Sequence, residues 1–343
     1  MFELEKIVRK NVLKLKPYSS ARDEYQGTAS IYMDANENPH PSQYNRYPDP
    51  HQLKVKERIS MIKKIPVNQI FLGNGSDEPI DLLIRAFCEP GIDKVLIPQP
   101  TYGMYTVSAE INNVEIKTIK LTTEFDIDFN ALSEAWDDHT KLIFLCSPNN
   151  PSGNLLDPEK IKAVLEQFEG IVIVDEAYID FTNSPGFVPL LKTYPNLVVL
   201  QTLSKAWGLA AIRVGMCFAR AEIIALLNKI KPPYNINIVS QQIALEELHF
   251  EVRKNRWVSE IITEREKLRQ GLAKIDSVQK VYPSDANFLL VKITNARGVY
   301  DALVKKGIIV RDRSNVILCE DCLRITIGTQ QENQILLNEL KQV

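Results

Sequence analysis

The sequence predicts an α/β protein: a large, mostly parallel sheet covered by helices, followed by a smaller α/β unit. Three observations carry this. Several short runs rich in β-branched residues are apolar throughout instead of alternating, as strands buried on both faces must be. Amphipathic stretches of helical period separate them, so consecutive strands are joined by crossovers. Beyond about residue 235 helical sequence dominates and a second strand-and-helix pattern begins, and 343 residues suit roughly two domains.

Taken in order, the N-terminal segment is rich in Tyr and Pro from Pro17 to Pro50 and has too little apolar periodicity to fold alone. Residues 1–33 are therefore expected to be an arm packed on another surface. Residues 34–235 form the expected large domain. Its strands are Asn68–Gly73, Lys94–Pro98 ("KVLIP"), Lys141–Cys146 ("KLIFLC"), Ile171–Asp175 ("IVIVD") and Asn196–Thr202 ("NLVVLQT"), with an amphipathic helix over Asp157–Phe168. Residues 236–343 form the small domain. There a strand region over Val278–Ile293 precedes a helix near Ala296–Lys306, then "IIVRDR" (Ile308–Arg313), "CLRITIG" (Cys322–Gly328) and a final helix. Right-handed crossovers bring the C-terminal strand ends of the large sheet to one edge, where α/β ligands bind.

Composition narrows the function. With 45% hydrophobic and 24% charged residues and a formal net charge of −2, the chain lacks the basic surplus that nucleic acid or an anionic membrane surface would require. The N-terminus mixes Glu and Lys without an apolar h-region, and no run approaches a membrane span. The five cysteines are scattered and odd in number, which suits reduced thiols, so a cytoplasmic location is expected. "CEDC" (Cys319–Cys322) has the spacing of half a zinc site, but nothing completes four ligands, and no metal is expected.

The segments just past the strand ends carry the chemistry. "GNGSDE" (Gly73–Glu78) opens directly into an amphipathic helix, and such a turn presents unpaired amides that suit a phosphate; a plain capped helix reads the same way. "QPTYGMY" places Tyr102 at a strand end, where an aromatic could stack on a flat ring. "SPNNPSG" supplies Asn150 from a turn. "DEAYIDF" ends an apolar strand with Asp175, whose partly buried carboxylate wants a cation, and Tyr178 comes three residues later. In "TLSKAWGLAAIRVG", Ser204 and Lys205 lie just past a strand. An amine desolvated there, by Trp207 and Leu209 among others, becomes a candidate Schiff-base lysine, and Arg213 can meet a phosphate. Each residue has a bland reading as cap, turn or snorkelling side chain. Their joint occurrence fits pyridoxal 5′-phosphate (PLP), which needs an anchored phosphate, a stacked ring, donors to its ring oxygen, an acid at the pyridine nitrogen and a lysine.

Over nearly its whole length the chain resembles the fold-type-I PLP aminotransferases, and within them the histidinol-phosphate branch. The resemblance rests on "LKPYSSAR" (Leu15–Arg22), "DANENP" (Asp34–Pro39), "NRYPDP" (Asn45–Pro50), "RAFCEPG" (Arg85–Gly91) and "LRITIGT" (Leu323–Thr329), together with the strand-end segments already quoted. It implies a seven-stranded large sheet and a homodimer with shared active sites, with the arm of residues 1–33 packed on the small domain and on the partner subunit. It makes Lys205 the cofactor lysine and proton-transfer base, with Asp175 at the pyridine nitrogen. Tyr178 and Asn150 would bond O3′ and Tyr102 would stack on the ring. Ser76, Asp77 (through its backbone), Ser204 and Arg213 would hold the phosphate, aided by Tyr47 of the partner subunit. Arg311 and Arg324 would grip the substrate anion, and Tyr18 and Asn36 would line the substrate side. Ser152 stands where the superfamily usually has Thr and keeps the hydroxyl. The implied reaction converts L-histidinol phosphate and 2-oxoglutarate to imidazole-acetol phosphate and L-glutamate, in histidine biosynthesis. An aromatic or broad-range aminotransferase and a threonine-phosphate decarboxylase share most of these features, and a non-catalytic α/β binding module is the rival outside the enzymes.

Overall fold

The computed structural model describes residues 3–18, 25 and 29–342, so Ser19–Arg22 of the first motif lie outside the described residues. Seven strands form the large sheet: β1 (Ile70–Asn74), β2 (Lys94–Gln99), β3 (Glu115–Lys120), β4 (Thr140–Cys146), β5 (Ile171–Asp175), β6 (Leu197–Thr202) and β7 (Val214–Phe218). Their order is β1-β7-β6-β5-β4-β2-β3. Pairings β2–β3, β2–β4, β4–β5 and β5–β6 are parallel, whereas β7 runs antiparallel to both β6 and β1. Strands β5, β6 and β7 are buried along their whole length, while edge strand β3 has only exposed and half-buried residues. Two apolar clusters fill the two faces of this sheet, one including Val172, Val174 and Val199, the other Phe71, Phe144, Ile173 and Leu200. Each such side chain contributes about 1.5–3 kcal/mol on leaving water.

The inversion of β7 matters for function. Strands β2, β4, β5 and β6 all end at one edge of the sheet. Because β7 is antiparallel to them it begins at that edge, and β1, antiparallel to β7, ends there: Asn74 faces Val214. The residues after β1 and before β7 therefore meet the residues after β4, β5 and β6. At this meeting the chain comes too close for a side chain, since a Cβ on Gly215 would collide with the backbone of Gly75 and Ser76.

The smaller sheet comprises β8 (Val278–Val281), β9 (Phe288–Ile293), β10 (Arg311–Asp312) and β11 (Cys322–Thr326), ordered β10-β11-β9-β8 and antiparallel throughout. Helices Glu251–Leu272, Ala296–Lys305 and Gln330–Leu340 cover it around a third cluster that includes Leu268, Leu289, Leu323 and Leu336. The final helix opens on a capping box between Thr329 and Glu332.

Four details differ from the sequence expectation. Val278–Ile293 is two strands, parted by a loop containing Pro283, and "IIVRDR" yields only a two-residue strand. Val8 and Val12 dock beside helix Asp77–Phe87 of the large sheet, with the Arg9 amide bonded to Ala86 O at 3.0 Å, so this part of the arm does not pack on the small sheet. Ile236, Ala244 and Leu248 sit in the core of the large sheet, tying the start of the C-terminal segment to it. Trp207 is packed in that same core, with Lys254 Nζ 5.5 Å from its ring centre. Among the described residues no helix is long and apolar enough to cross a membrane, and all five cysteines are buried free thiols.

Candidate active site

An open cavity of about 100 Å³ lies at the strand-end edge. Nine residues singled out from the sequence line it together: Ser76, Asp77, Tyr102, Asn150, Asp175, Tyr178, Ser204, Lys205 and Arg213. Cys146 and Thr202, the last residues of β4 and β6, complete the lining together with Ala177; nothing in their sequence surroundings marked them out. The Lys205 loop is tied down by Leu203 N–H to Val214 O (3.1 Å), Gly208 N–H to Lys205 O (3.0 Å) and Leu209 N–H to Leu203 O (3.0 Å).

Hydrogen bonds fix the walls. The Tyr102 hydroxyl donates to Asp77 Oδ1 at 3.0 Å, and Arg213 Nη2 lies 3.6 Å from Asp77 Oδ2. Asp77 opens helix Asp77–Phe87, so the free amides of that first turn face the same space. Asn149 fastens the loop after β4: its Nδ2 donates to Pro100 O (3.0 Å) and Ser152 Oγ (2.8 Å), and its Oδ1 accepts from Thr101 (3.1 Å). Within the chain Asp175 takes two neutral donors, Tyr105 Oη at 2.6 Å and the Ala177 amide at 3.1 Å. Burial pushes its carboxyl up to about 6 against those donors. Lys205 reaches into the cavity with Nζ 5.6 Å from the Tyr178 ring centre. Desolvation lowers its pKa, Arg324 adds to the fall, and Asp175 opposes it. Glu176 turns away from the cavity: it accepts from Gln201 Nε2 (2.8 Å) and the Phe187 amide (2.5 Å), and burial carries it to about 7.

The small sheet supplies the mouth. Arg311 and Arg324 stand opposite each other across β10 and β11. Arg324 donates to Asn150 Oδ1 at 2.5 Å and lies 5.3 Å from the Phe288 ring centre, and Phe288 in turn meets Tyr178 edge-on at 5.1 Å. Arg313 was missed, although its place two positions beyond Arg311 in an alternating run puts it on the same side of the strand. Its amide continues the ladder to Cys322 O at 2.9 Å, its Nε is buried without a partner, and Arg324 and Arg311 both act on its charge. Neither Arg311 nor Arg313 makes a salt bridge with a described residue. The remaining candidates are not brought to Lys205 within this chain. Tyr47 stacks on Tyr234 (4.5 Å, 12°) in a separate hollow that also contains Asn36, and Tyr18 is 70% exposed.

Known proteins share this sequence pattern and fold. The family described as aminotransferase class I and II matches residues 23–340. The chain is 56% identical over 344 residues to a histidinol-phosphate aminotransferase of Cytophaga hutchinsonii, covering 99% of each. This chain belongs to the histidinol-phosphate aminotransferase family. It is a fold-type-I, PLP-dependent aminotransferase. The crystal structure of the histidinol-phosphate aminotransferase from Clostridium acetobutylicum superimposes with a TM-score of 0.80 at 29% identity, covering 87% of this chain and 90% of that one. The histidinol-phosphate aminotransferase from Sinorhizobium meliloti, solved in complex with pyridoxal-5′-phosphate, has the same fold: TM-score 0.78, 21% identity, 87% of this chain and 82% of that one.

Proposed function

We propose that this aminotransferase interconverts L-histidinol phosphate plus 2-oxoglutarate with imidazole-acetol phosphate plus L-glutamate, in histidine biosynthesis, as a homodimer with PLP. The observation that carries the reading is the pairing, around one cavity, of a desolvated lysine and a buried carboxylate with guanidiniums at the mouth that lack acidic partners. The residues fit the cofactor: Asp175 is a buried anion held only by neutral donors, and the helix N-terminus with Arg213 is an anion cradle at the other end of the cavity. When bound, PLP supplies the electron sink that acidifies the substrate Cα–H.

Lys205 holds the cofactor and carries the proton to and from the substrate, a task its lowered pKa suits. Asp175 keeps the proton on the pyridine nitrogen. Tyr178 and Asn150 donate to O3′; Arg324 already occupies Asn150 Oδ1 and leaves the Nδ2 donor available. Tyr102, fixed by Asp77, covers the ring. Ser76, the Asp77 amide, Ser204 and Arg213 bind the phosphate. Arg311 and Arg324 take the substrate's anion, carboxylate in one half-reaction and phosphate in the other, since a guanidinium fork binds both. Tyr47 reaches the phosphate site of the partner subunit, while Tyr18 and Asn36 line the substrate side. The apolar exposure of Tyr18, Tyr25, Ile31, Met33 and Tyr44 supports a second copy covering this segment.

We read the division as an arm (1–33), a large part (34–235) and a small part (236–343), the last held to the large core by Ile236 and Ala244. Five free thiols support a reducing, cytoplasmic setting.

The test is an absorbance scan of the purified protein. Glutamate should convert the bound cofactor to its amine form, and imidazole-acetol phosphate should restore it faster than phenylpyruvate does. No change with glutamate would sink the assignment; faster restoration by phenylpyruvate would mark a broad-range aminotransferase.

A further inference from the structure

The Asp175 carboxylate is held by a residue that has no task in the proposed reaction. Tyr105 is the second residue of helix Met104–Ile111 and is fully buried, stacked on Phe144 (4.8 Å, 15°) with Tyr102 edge-on at 5.5 Å. Phenylalanine would fill this space as well. A hydroxyl placed there loses its water and must find an acceptor, and it finds Asp175 Oδ2 at 2.6 Å. The other oxygen, Oδ1, accepts the Ala177 amide at 3.1 Å. Both donors are neutral. An arginine or lysine in their place would cancel the charge of the carboxylate, whereas a phenol favours the ionised form and leaves its full charge to act on the cavity.

We propose that Tyr105 is a positioning residue that orients Asp175 and keeps it ionised beneath the cofactor ring. The inference rests on Asp175 serving that ring. The other groups around Asp175 do not replace this bond. From β4 comes Cys146, whose thiol is pushed up by burial and donates to Pro148 O at 3.4 Å. From helix Asp77–Phe87 comes Asp77, which opposes ionisation, and from the loop after β6 comes Lys205, which favours it. The phenols of Tyr102 and Tyr178 stay neutral, both raised by burial. Glu176, next in the chain, faces Gln201 and Phe187. Burial and Asp77 thus push the Asp175 carboxyl up, Lys205 and two hydrogen bonds pull it down, and of those two bonds the one from Tyr105 can be deleted by a single atom.

The experiment compares wild type, Tyr105→Phe, Phe144→Leu, Glu176→Gln and Asp175→Asn as holoenzymes. Cofactor retention by equilibrium dialysis and the glutamate half-reaction are both measured from acid to neutral pH. Losing the phenol bond raises the pKa of Asp175. The acid limb of both curves should therefore move to higher pH in Tyr105→Phe, by about one unit, a tenfold change in proton activity. Phe144→Leu, which loosens the same stack, should lower Tm and leave the limb in place. Glu176→Gln should also leave it, excluding the neighbouring carboxyl as its source. A limb unmoved in Tyr105→Phe, with rate lowered evenly or not at all, would overturn the proposal. If Tyr105→Phe fails to fold, 3-fluorotyrosine at position 105, a stronger donor, must shift the limb to lower pH or the proposal falls. A limb and rate unchanged in Asp175→Asn would instead overturn the role of Asp175 itself, a distinguishable failure.

Discussion

The strand-end cavity and the arginine edge of the small sheet are both charged, and they handle charge in opposite ways. In the cavity, Asp77 is engaged by Tyr102 and Arg213, and Asp175 by Tyr105 and Ala177. At the edge, Arg311 and Arg313 have no acidic partner among the described residues, and Arg324 has only an amide oxygen. A pocket whose groups are satisfied in advance suits a ligand that stays in place through the whole cycle, because no reorganisation is left for binding. Cations left without partners suit a ligand that alternates between a monoanion and a dianion.

Substitutions test that contrast, beginning with the largest effect. Lys205→Ala should abolish multiple turnover, because Lys205 is the one lysine among the described residues that line the cavity; steady-state assays with glutamate would show it, and dialysis should show weakened cofactor retention. Arg324→Ala comes next, with at least a tenfold fall in kcat/KM in both half-reactions, since a charge-assisted bond contributes ~1.5–3 kcal/mol. Single-turnover kinetics of each half would reveal it. A loss confined to one half would break the idea that the edge serves both anions. Arg311→Ala and Arg313→Ala should each cost less, and should slow the histidinol-phosphate half more than the glutamate half. Equal slowing of both would mean that these arginines do not read the dianion.

The smallest expected effect belongs to the satisfied side. Burial raises Glu176 to about 7 from an ordinary 4.5, so the folded protein holds a proton there that the unfolded chain has released. Stability contributed by that proton is complete below pH 4.5, falls as pH rises towards about 7, and is then level. Glu176→Gln should flatten this part of the stability curve, an effect on the order of 1–3 kcal/mol, measured by denaturant titration across that range. A half-turn of the Gln201 amide would bring its Oε1, buried without a partner, to accept from the new amide.

How much of this was legible in the sequence depended on local pattern. Strands β4, β5 and β6 were readable because burial on both faces makes them apolar throughout, and the residues just past them, Asp175, Ser204 and Lys205, then fell at one edge by topology alone. Tyr105 could not be found that way. It lies inside a helix, and its acceptor is 70 residues away in the chain. Arg313 carried a signal in its alternation with Arg311, but a two-residue strand is too short to announce its faces. The docking of Val8 and Val12 was hidden for another reason: Leu4, Ile7, Val8 and Val12 keep a helical spacing, but they lie on or at the end of two helices of four and five residues, too short to stand without the large sheet's helices against them.

The bond between Arg324 and Asn150 has a kinetic consequence. It joins the two parts of the molecule through Nη1 alone, and among the described residues Nε and Nη2 of Arg324 stay available to an anion. The guanidinium is therefore aimed before any anion arrives, and little side-chain freedom is left to lose at the moment of capture. When product leaves, Asn150 keeps the fork in place. The same cradle is ready at once for the next arrival, whichever anion it carries.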